Sequence, residues 1–528
     1  MVSATLSLAD LEPGSVAGGS LRNRSVVVLG AGRTGQAVAA FAALHGARVT
    51  LHDSAEASAL TSAVERFSDG SVELAFGASA DLAAALASAD LVVHSPSVTL
   101  GFPTVKDQVA KPLSEYAGRA INLIGDPSVR GPILISEPEW TLRLLGGRWR
   151  VGITGTKGKT TTSNLIAQIL AADVAHPTEL GGNSGTPLIG KAMSLADDAR
   201  IVLELSELQL PSLHSKLDVG VYTNITVDHL DRHRTVDAYR KVKRMLADLV
   251  ADSGILIVNL DDPVSASLAA LGRVTTIGYR RDRPVPGGVG VVDGWIVAAG
   301  VPRSSRFGGG TAAAGPGGRI MPLDEIALPG DHSVSNVLAA VSAGLAAGAA
   351  PDAIRKVVAA FRGIPHRLET IAVVDGIRYV NDAQATQPDA VAAAVSSFRK
   401  PLVLLAGGRS KGLDLRELAP VVARQCSGAV LFGELADELE TLFRSSGLTE
   451  IDRASSIPEA VARGGALARK LLAATTDSRN LSLHESEARA TVLLSPIGSS
   501  FDMFNNPFGA RGEAFREAVH ALAAEAHQ

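Results

Sequence analysis

The segment GITGTKGKTTT, from Gly152 to Thr162, carries the residue types that hold a nucleoside triphosphate. An apolar run over 149–153 leads into a glycine turn, and a helical pattern over 163–170 follows. In such a unit the loop N–H groups face an anion and the helix N-terminus adds its dipole. Lys159 can reach the β- and γ-phosphates, and Thr160 can hold Mg²⁺. The strict GxxxxGK[ST] pattern is broken at its start, because Ile153 stands where the first glycine belongs and Gly155 makes the turn. ATP or GTP binding is expected, with a plain glycine turn between strand and helix as the alternative.

A second group of residues follows in the same region. Glu204 ends the apolar run IVLEL, and TNITVDHLDRH places Asp228, His229 and Asp231 just after another strand end. Carboxylates with an imidazole suit Mg²⁺ or Mn²⁺ beside phosphates, and the lack of a cysteine set argues against structural zinc. Asp231 can equally cap a helix start.

The elements that position these groups are legible from periodicity. Ser25-Val-Val-Val-Leu-Gly leads into Gly30-Ala-Gly32-Arg-Thr-Gly35, a helix over 36–44 and a strand ending in Asp53. That is a Rossmann half, for which a nicotinamide is one of several occupants. A loop-rich connection, roughly 100–139, precedes the phosphate loop. Strands over 201–205, 219–223 and 255–258, with a helix over 237–251, then alternate as in a parallel sheet. The glycine- and proline-rich stretch 281–318 reads as hairpins and a long surface loop, disordered over 307–318. Past Gly363, strands near Tyr379 and over 402–406, 428–432 and 492–495 alternate with helices.

The expected fold class is therefore α/β in three domains: Rossmann-like at the N-terminus, a central P-loop ATPase-type parallel sheet, and a C-terminal Rossmann-like α/β domain. The expected bounds are a tail over 1–24 and domains over 25–136, 137–364 and 365–528. A chain of 528 residues accommodates three cores. A net charge of −4 argues against a nucleic-acid surface. Cys426, the single cysteine, excludes an internal disulfide and is expected buried as a small apolar side chain. The most apolar stretch, 337–350, is too short to span a bilayer, and no basic, then apolar, leader opens the chain. A cytoplasmic protein without membrane insertion is expected.

Taken in order, GITGTKGKTTT, ELSELQL, TNITVDHLDRH with Tyr239 and Lys243, Pro365-His-Arg367 and LLSPIGSSFDMF resemble the Mur ligases, nearest to the branch that adds D-glutamate. The resemblance covers nearly the whole chain. It implies ATP-dependent joining of glutamate to UDP-N-acetylmuramoyl-L-alanine through an acyl phosphate; a monomer is expected. It implies ATP contacts from Gly155, Thr156, Lys157, Gly158, Lys159, Thr160, Thr161, Asn336, Arg367 and Asp382. Thr160, Glu204 and His229 would hold Mg²⁺, two ions being expected, and Lys243 would be carbamylated to help position the second. The bland reading of Lys243 is an exposed helix lysine. Thr34, Asp53, Asn183 and Ser206 would contact the UDP-substrate; Thr386, Lys411, Ser500 and Phe508 would hold glutamate. Lys159, His229, Lys243 and Lys411 form the catalytic set. Separate domains for the substrates imply closure that excludes water.

The sequence departs from that pattern at several positions. Lys157 replaces a frequent asparagine, Ser333 another, and Ser97 a glycine. In the segment 381–387, NDAQATQ, Gln384 stands where a lysine is usual. A lost cation alters how two carboxylates are held, so the same ligation with L-glutamate is the nearest alternative. A UDP-sugar-binding relative without turnover is the second.

Overall fold

The computed structural model describes residues 6–95, 122–123, 131–183, 185–228, 230–328, 331–386, 388–410, 414–474, 488–498 and 509–526. It divides into two compact units, Met1–Phe361 and Arg362–Gln528.

The first unit carries two sheets. The N-terminal one comprises β1 (Ser25–Leu29), β2 (Arg48–Asp53), β3 (Glu73–Phe76), β4 (Leu91–His94), β5 (Asn122–Leu123) and β6 (Ile133–Ser136), in the order β3-β2-β1-β4-β6-β5. All its pairings are parallel. Strand β1 is central because Val26, Val27 and Val28 are buried on both faces, as parallel strands between helices require. The helix Arg33–Leu44 follows β1 at close range. A Cβ on Gly35 would come within 1.8 Å of the Gly30 carbonyl oxygen, so the third glycine of the turn serves helix packing.

The second sheet contains β7 (Trp149–Thr154), β8 (Thr178–Gly182), β9 (Arg200–Glu204), β10 (Leu217–Tyr222), β11 (Val250–Asn259), β12 (Thr275–Tyr279), β13 (Val289–Val292), β14 (Trp295–Ala298) and β15 (Arg319–Pro322). Their order is β15-β14-β13-β12-β11-β10-β7-β9-β8. The stretch from β8 to β13 is parallel, and β13, β14 and β15 pair antiparallel. Strand β7 lies between β9 and β10, so the carboxyl ends of these neighbours, where ligands of open α/β sheets bind, converge on the loop after β7.

Two expectations are corrected. The connection read as loop up to residue 139 contains β6 and the helix Glu137–Leu144, started by the Ser136 hydroxyl, which accepts the Glu139 N–H at 3.3 Å. The stretch 307–318 is folded. The Phe307 ring packs edge-on against Trp149, with centroids 5.2 Å apart, and lies 4.8 Å from the Arg200 guanidinium. The Arg306 guanidinium donates to the Gly147 carbonyl at 2.6 Å. These anchors fix a stretch whose average composition suggests disorder.

The apolar 337–350 stretch falls mostly within the helix Asp331–Ala346, which packs on the helix Lys159–Ala171. No helix among the described residues is long and apolar enough to cross a membrane.

The second unit has one sheet: β16 (Glu369–Val374), β17 (Ile377–Asn381), β18 (Leu402–Gly407), β19 (Gly428–Phe432), β20 (Ile451–Ala454) and β21 (Ala490–Ile497), ordered β16-β17-β21-β18-β19-β20. Only the β16–β17 hairpin is antiparallel. Cys426 is buried, as expected, and burial pushes its thiol up to about 12.

Candidate active site

The phosphate loop is shaped by what lies beneath it. Gly155 adopts φ +153°, and a Cβ there would come within 1.9 Å of Thr223 Oγ1, so only glycine lets the loop sit on the end of β10. The TNIT segment that follows β10 holds the loop in place. The Thr156 N–H donates to the Asn224 carbonyl at 2.8 Å, and the Lys157 N–H donates to Asn224 Oδ1 at 3.0 Å. The hydroxyl of Thr223 donates to the Lys157 carbonyl at 2.6 Å. Thr156 Oγ1 accepts the Thr226 N–H and lies 3.0 Å from the Tyr239 hydroxyl.

Lys159 Nζ donates to the carbonyls of Gly155 and Thr156, both at 2.8 Å, which holds the ammonium over the loop. The helix Lys159–Ala171 begins after Gly158, which has φ +83° and supplies no side-chain cap, so the positive end of the helix dipole adjoins the loop. Asn336 is buried against this turn, its Oδ1 2.2 Å from where a Gly158 Cβ would stand.

Glu204 closes β9 beside the loop and is 2 % exposed. Asn183 donates through Nδ2 to Glu204 Oε1 at 3.2 Å and through its backbone N–H to the Glu204 carbonyl at 2.7 Å. Ser206 is buried one turn further on, its N–H and hydroxyl both directed to Gln209 Oε1. The oxygens of Glu204 and Thr160 suit a hard cation next to a phosphate cradle, so the described residues fit ATP with Mg²⁺. His229 lies outside the described residues.

Lys243 is not an exposed helix lysine. The helix Val236–Leu249 is capped by the Thr235 hydroxyl and buries Tyr239, Val242, Lys243 and Leu246 on one stripe. Lys243 Nζ donates to Thr154 Oγ1 at 3.2 Å, lies 3.7 Å from Glu207 Oε2 and 5.5 Å from the centre of the Tyr239 ring. Burial, followed by the charge of Lys159, lowers its ammonium to about 7, against the opposing pull of Glu207, Asp228 and Glu204. Glu207 is absent from the sequence-based candidates. Its only trace in the sequence is a second carboxylate in the short ELSELQL run.

In the N-terminal sheet, Asp53 accepts the Ala31 N–H at 2.8 Å and the Ala55 N–H at 2.9 Å, so it braces the glycine turn. Thr34 stands in the first turn of the Arg33–Leu44 helix and lines a cavity that also touches Gly182. In the second unit, Asp382 accepts from the Leu368 N–H and the Ser495 hydroxyl, both at 3.1 Å. Burial raises its carboxyl to about 7 despite those bonds and the nearby Arg367 charge. Thr386 follows in the same turn, and exposed Gln384 donates to the Pro365 carbonyl at 3.3 Å. Lys411, Ser500 and Phe508 lie outside the described residues.

Three family descriptions match the chain in order: "Mur ligase MurD-like, N-terminal domain" over 24–114, "Mur ligase middle domain" over 153–344, and "Mur ligase, glutamate ligase domain" over 366–473. The UDP-N-acetylmuramoylalanine–D-glutamate ligase of Pelotomaculum thermopropionicum is 34% identical over 505 residues, 94% of this chain and 98% of that protein. The protein of the same name from Symbiobacterium thermophilum is 35% identical over 511 residues, 96% of this chain and 100% of that one. The chain belongs to the Mur ligase family. As a Mur ligase it is an ATP-dependent, ADP-forming amide ligase of peptidoglycan biosynthesis. The three-domain α/β fold is the family's, with the N-terminal and middle domains both inside the first unit.

Proposed function

We propose that this Mur ligase adds D-glutamate to UDP-N-acetylmuramoyl-L-alanine in the cytoplasm, acting as a monomer. The observation that carries this reading is the end-to-end similarity to proteins named for that ligation, in a chain whose phosphate loop and Glu204 meet at one sheet edge. We assign 25–136 to the UDP-sugar, with Thr34, Asp53, Asn183 and Ser206 as contacts. Residues 137–364 are assigned to ATP, through Gly155 to Thr161 and Asn336. We assign 365–528 to glutamate through Thr386, Lys411, Ser500 and Phe508, with Arg367 and Asp382 completing the nucleotide contacts.

A free carboxylate is a poor acyl donor because its leaving group is oxide. In the proposed sequence a substrate carboxylate oxygen attacks the γ-phosphorus and ADP departs, leaving an acyl phosphate. The deprotonated glutamate amine then attacks the acyl carbon, and phosphate departs with the former carboxylate oxygen. The first step brings two anions together; Lys159 and the loop N–H groups offset their repulsion. Thr160, Glu204 and His229 would hold Mg²⁺, which would supply further charge neutralisation, and a carbamate on Lys243 would help position a second ion. Lys243 is suited to carbamylation because an amine reacts with CO₂ only when neutral, and burial brings it near that state at neutral pH.

Gln384 favours L-glutamate as the second reading, since a lysine is usual there and the side chain offers no charge for a carboxylate. Phosphate release from ATP with UDP-N-acetylmuramoyl-L-alanine and either D-glutamate, L-glutamate or no amino acid tests both. Turnover with the D-isomer alone supports the first reading; turnover with only the L-isomer replaces it with the second. Silence with both removes catalysis of this ligation and leaves a UDP-sugar-binding relative.

A further inference from the structure

Arg367, assigned above to the nucleotide, sits between two left-handed residues, His366 at φ +63° and Leu368 at φ +45°. Neither is a glycine, so this backbone persists only where its surroundings over-determine it. The Leu368 N–H is taken by Asp382, and the His366 N–H donates to Glu369 Oε2 at 2.8 Å. The His366 carbonyl accepts the Gln384 N–H at 3.1 Å.

The His366 imidazole is held as closely as its backbone. Asn381 is fully buried at the end of β17; its Oδ1 accepts the Ala383 N–H at 3.2 Å and its Nδ2 donates to the Gly512 carbonyl at 2.9 Å. Those backbone partners set the orientation of the amide, so it is Nδ2 that faces His366 Nδ1, at 3.0 Å. Nδ1 accepts, and the neutral ring carries its proton on Nε2, which lies 3.2 Å from Glu513 Oε1. Arg516 closes the circuit. Its Nη1 donates to both Glu513 oxygens at 3.0 and 3.1 Å, and its Nη2 to both Glu369 oxygens at 2.8 and 3.0 Å. Glu513 and Arg516 belong to the helix Ala510–Ala526, which comes so near that a Cβ on Gly512 would stand 2.1 Å from His366 Nδ1. Glycine weakens a helix, and here the close approach requires one.

We propose that Glu513 is a positioning residue for the nucleotide: by holding the His366 Nε2–H and, through Arg516, Glu369, it keeps the 366–368 turn in the form that presents Arg367 to ATP. The assignment rests on the nucleotide role proposed above for Arg367. Glu513 is itself exposed, and exposed ion pairs add little to stability, so its replacement leaves the fold intact.

The test is calorimetric titration of the full-length protein with ATP and Mg²⁺, and separately with UDP-N-acetylmuramoyl-L-alanine. Glu513→Ala should weaken ATP about tenfold and the sugar nucleotide less than about twofold, with an unchanged thermal unfolding curve. Glu513→Gln keeps an acceptor for the His366 Nε2–H and should stay within about threefold of wild type. Unchanged ATP affinity in Glu513→Ala overturns the proposal, as does equal loss of both ligands or a glutamine variant as weak as the alanine one. A double-mutant cycle tests the route. Added to Arg367→Ala, the Glu513→Ala change should weaken ATP less than about twofold further; a second tenfold loss would show that Glu513 acts without Arg367 and overturn the assignment. If Arg367→Ala alone leaves ATP affinity unchanged, the nucleotide role of Arg367 falls, a result distinct from failure of the cycle.

Discussion

Lys243 Nζ and Glu207 Oε2 lie 3.7 Å apart with both side chains buried, at the edge of the sheet that carries the phosphate loop. Burial and then Lys159 lower the ammonium, and the Glu207 carboxylate is the largest of the three charges that oppose them. Glu207→Gln removes one opposing charge. The Lys243 amine should then titrate lower by about one unit, and a carbamate should appear at correspondingly lower pH. ¹³C NMR with labelled bicarbonate across pH reads this directly; an unmoved midpoint would show that Glu207 does not govern Lys243.

Replacing Lys243 by Ala should lower ligase turnover by about 10²-fold while the protein stays folded. Formate or acetate should restore part of it by supplying the missing carboxylate. Failure of every short-chain acid, with unchanged circular dichroism, would count against a carbamate at this position.

Lys159→Ala removes the cation held over the loop by the Gly155 and Thr156 carbonyls. ATP-dependent phosphate release should vanish while the UDP-substrate still binds, because Asp53 ends a strand of the N-terminal sheet and Thr34 lies on the helix that follows β1 of that sheet. Simultaneous loss of sugar-nucleotide binding in titration would overturn the division of roles between the two sheets.

Gly155→Ala forces a Cβ into Thr223 Oγ1 at a backbone angle few side chains adopt. The loop must move or strain, at about 3 kcal/mol, and ATP affinity should fall at least tenfold. Thermal unfolding with and without ATP separates the two effects; a variant with normal stability and normal ATP stabilisation would show that the loop tolerates the methyl group.

Glu137 has its carboxyl raised from the ordinary 4.5 to about 7, so the folded protein binds more protons than the unfolded chain between those values. Its contribution to stability is full below about pH 4.5 and is lost as pH rises through about 7. Glu137→Gln should abolish that slope and be roughly 2–3 kcal/mol more stable, relative to wild type, near pH 8 than near pH 4. Urea unfolding at both pH values checks the sign.

The sequence determined the strand, glycine turn and helix units around Gly30 and Gly155, because period and turn chemistry are local properties. It also placed Glu204 at a strand end, since IVLEL announces a buried strand closed by a charge. Burial of Lys243 was half visible: Tyr239, Val242 and Leu246 recur at helical spacing around it, yet a lysine on such a stripe can also reach out to solvent. Tertiary structure alone decided that it points inward, because β7 and the Glu207 turn bring Thr154 and Glu207 to its ammonium from distant parts of the chain. The same holds for Glu137, an ordinary first-turn carboxylate in sequence. Its raised protonation and its cavity exist only because the Arg33–Leu44 helix and the 182–205 region close over it. The 307–318 stretch makes the point in reverse: its composition favours disorder, and contacts to Trp149, Gly147 and Arg200 fold it. Periodicity reports which face of an element is buried, whereas desolvation and pairing depend on what another element places there.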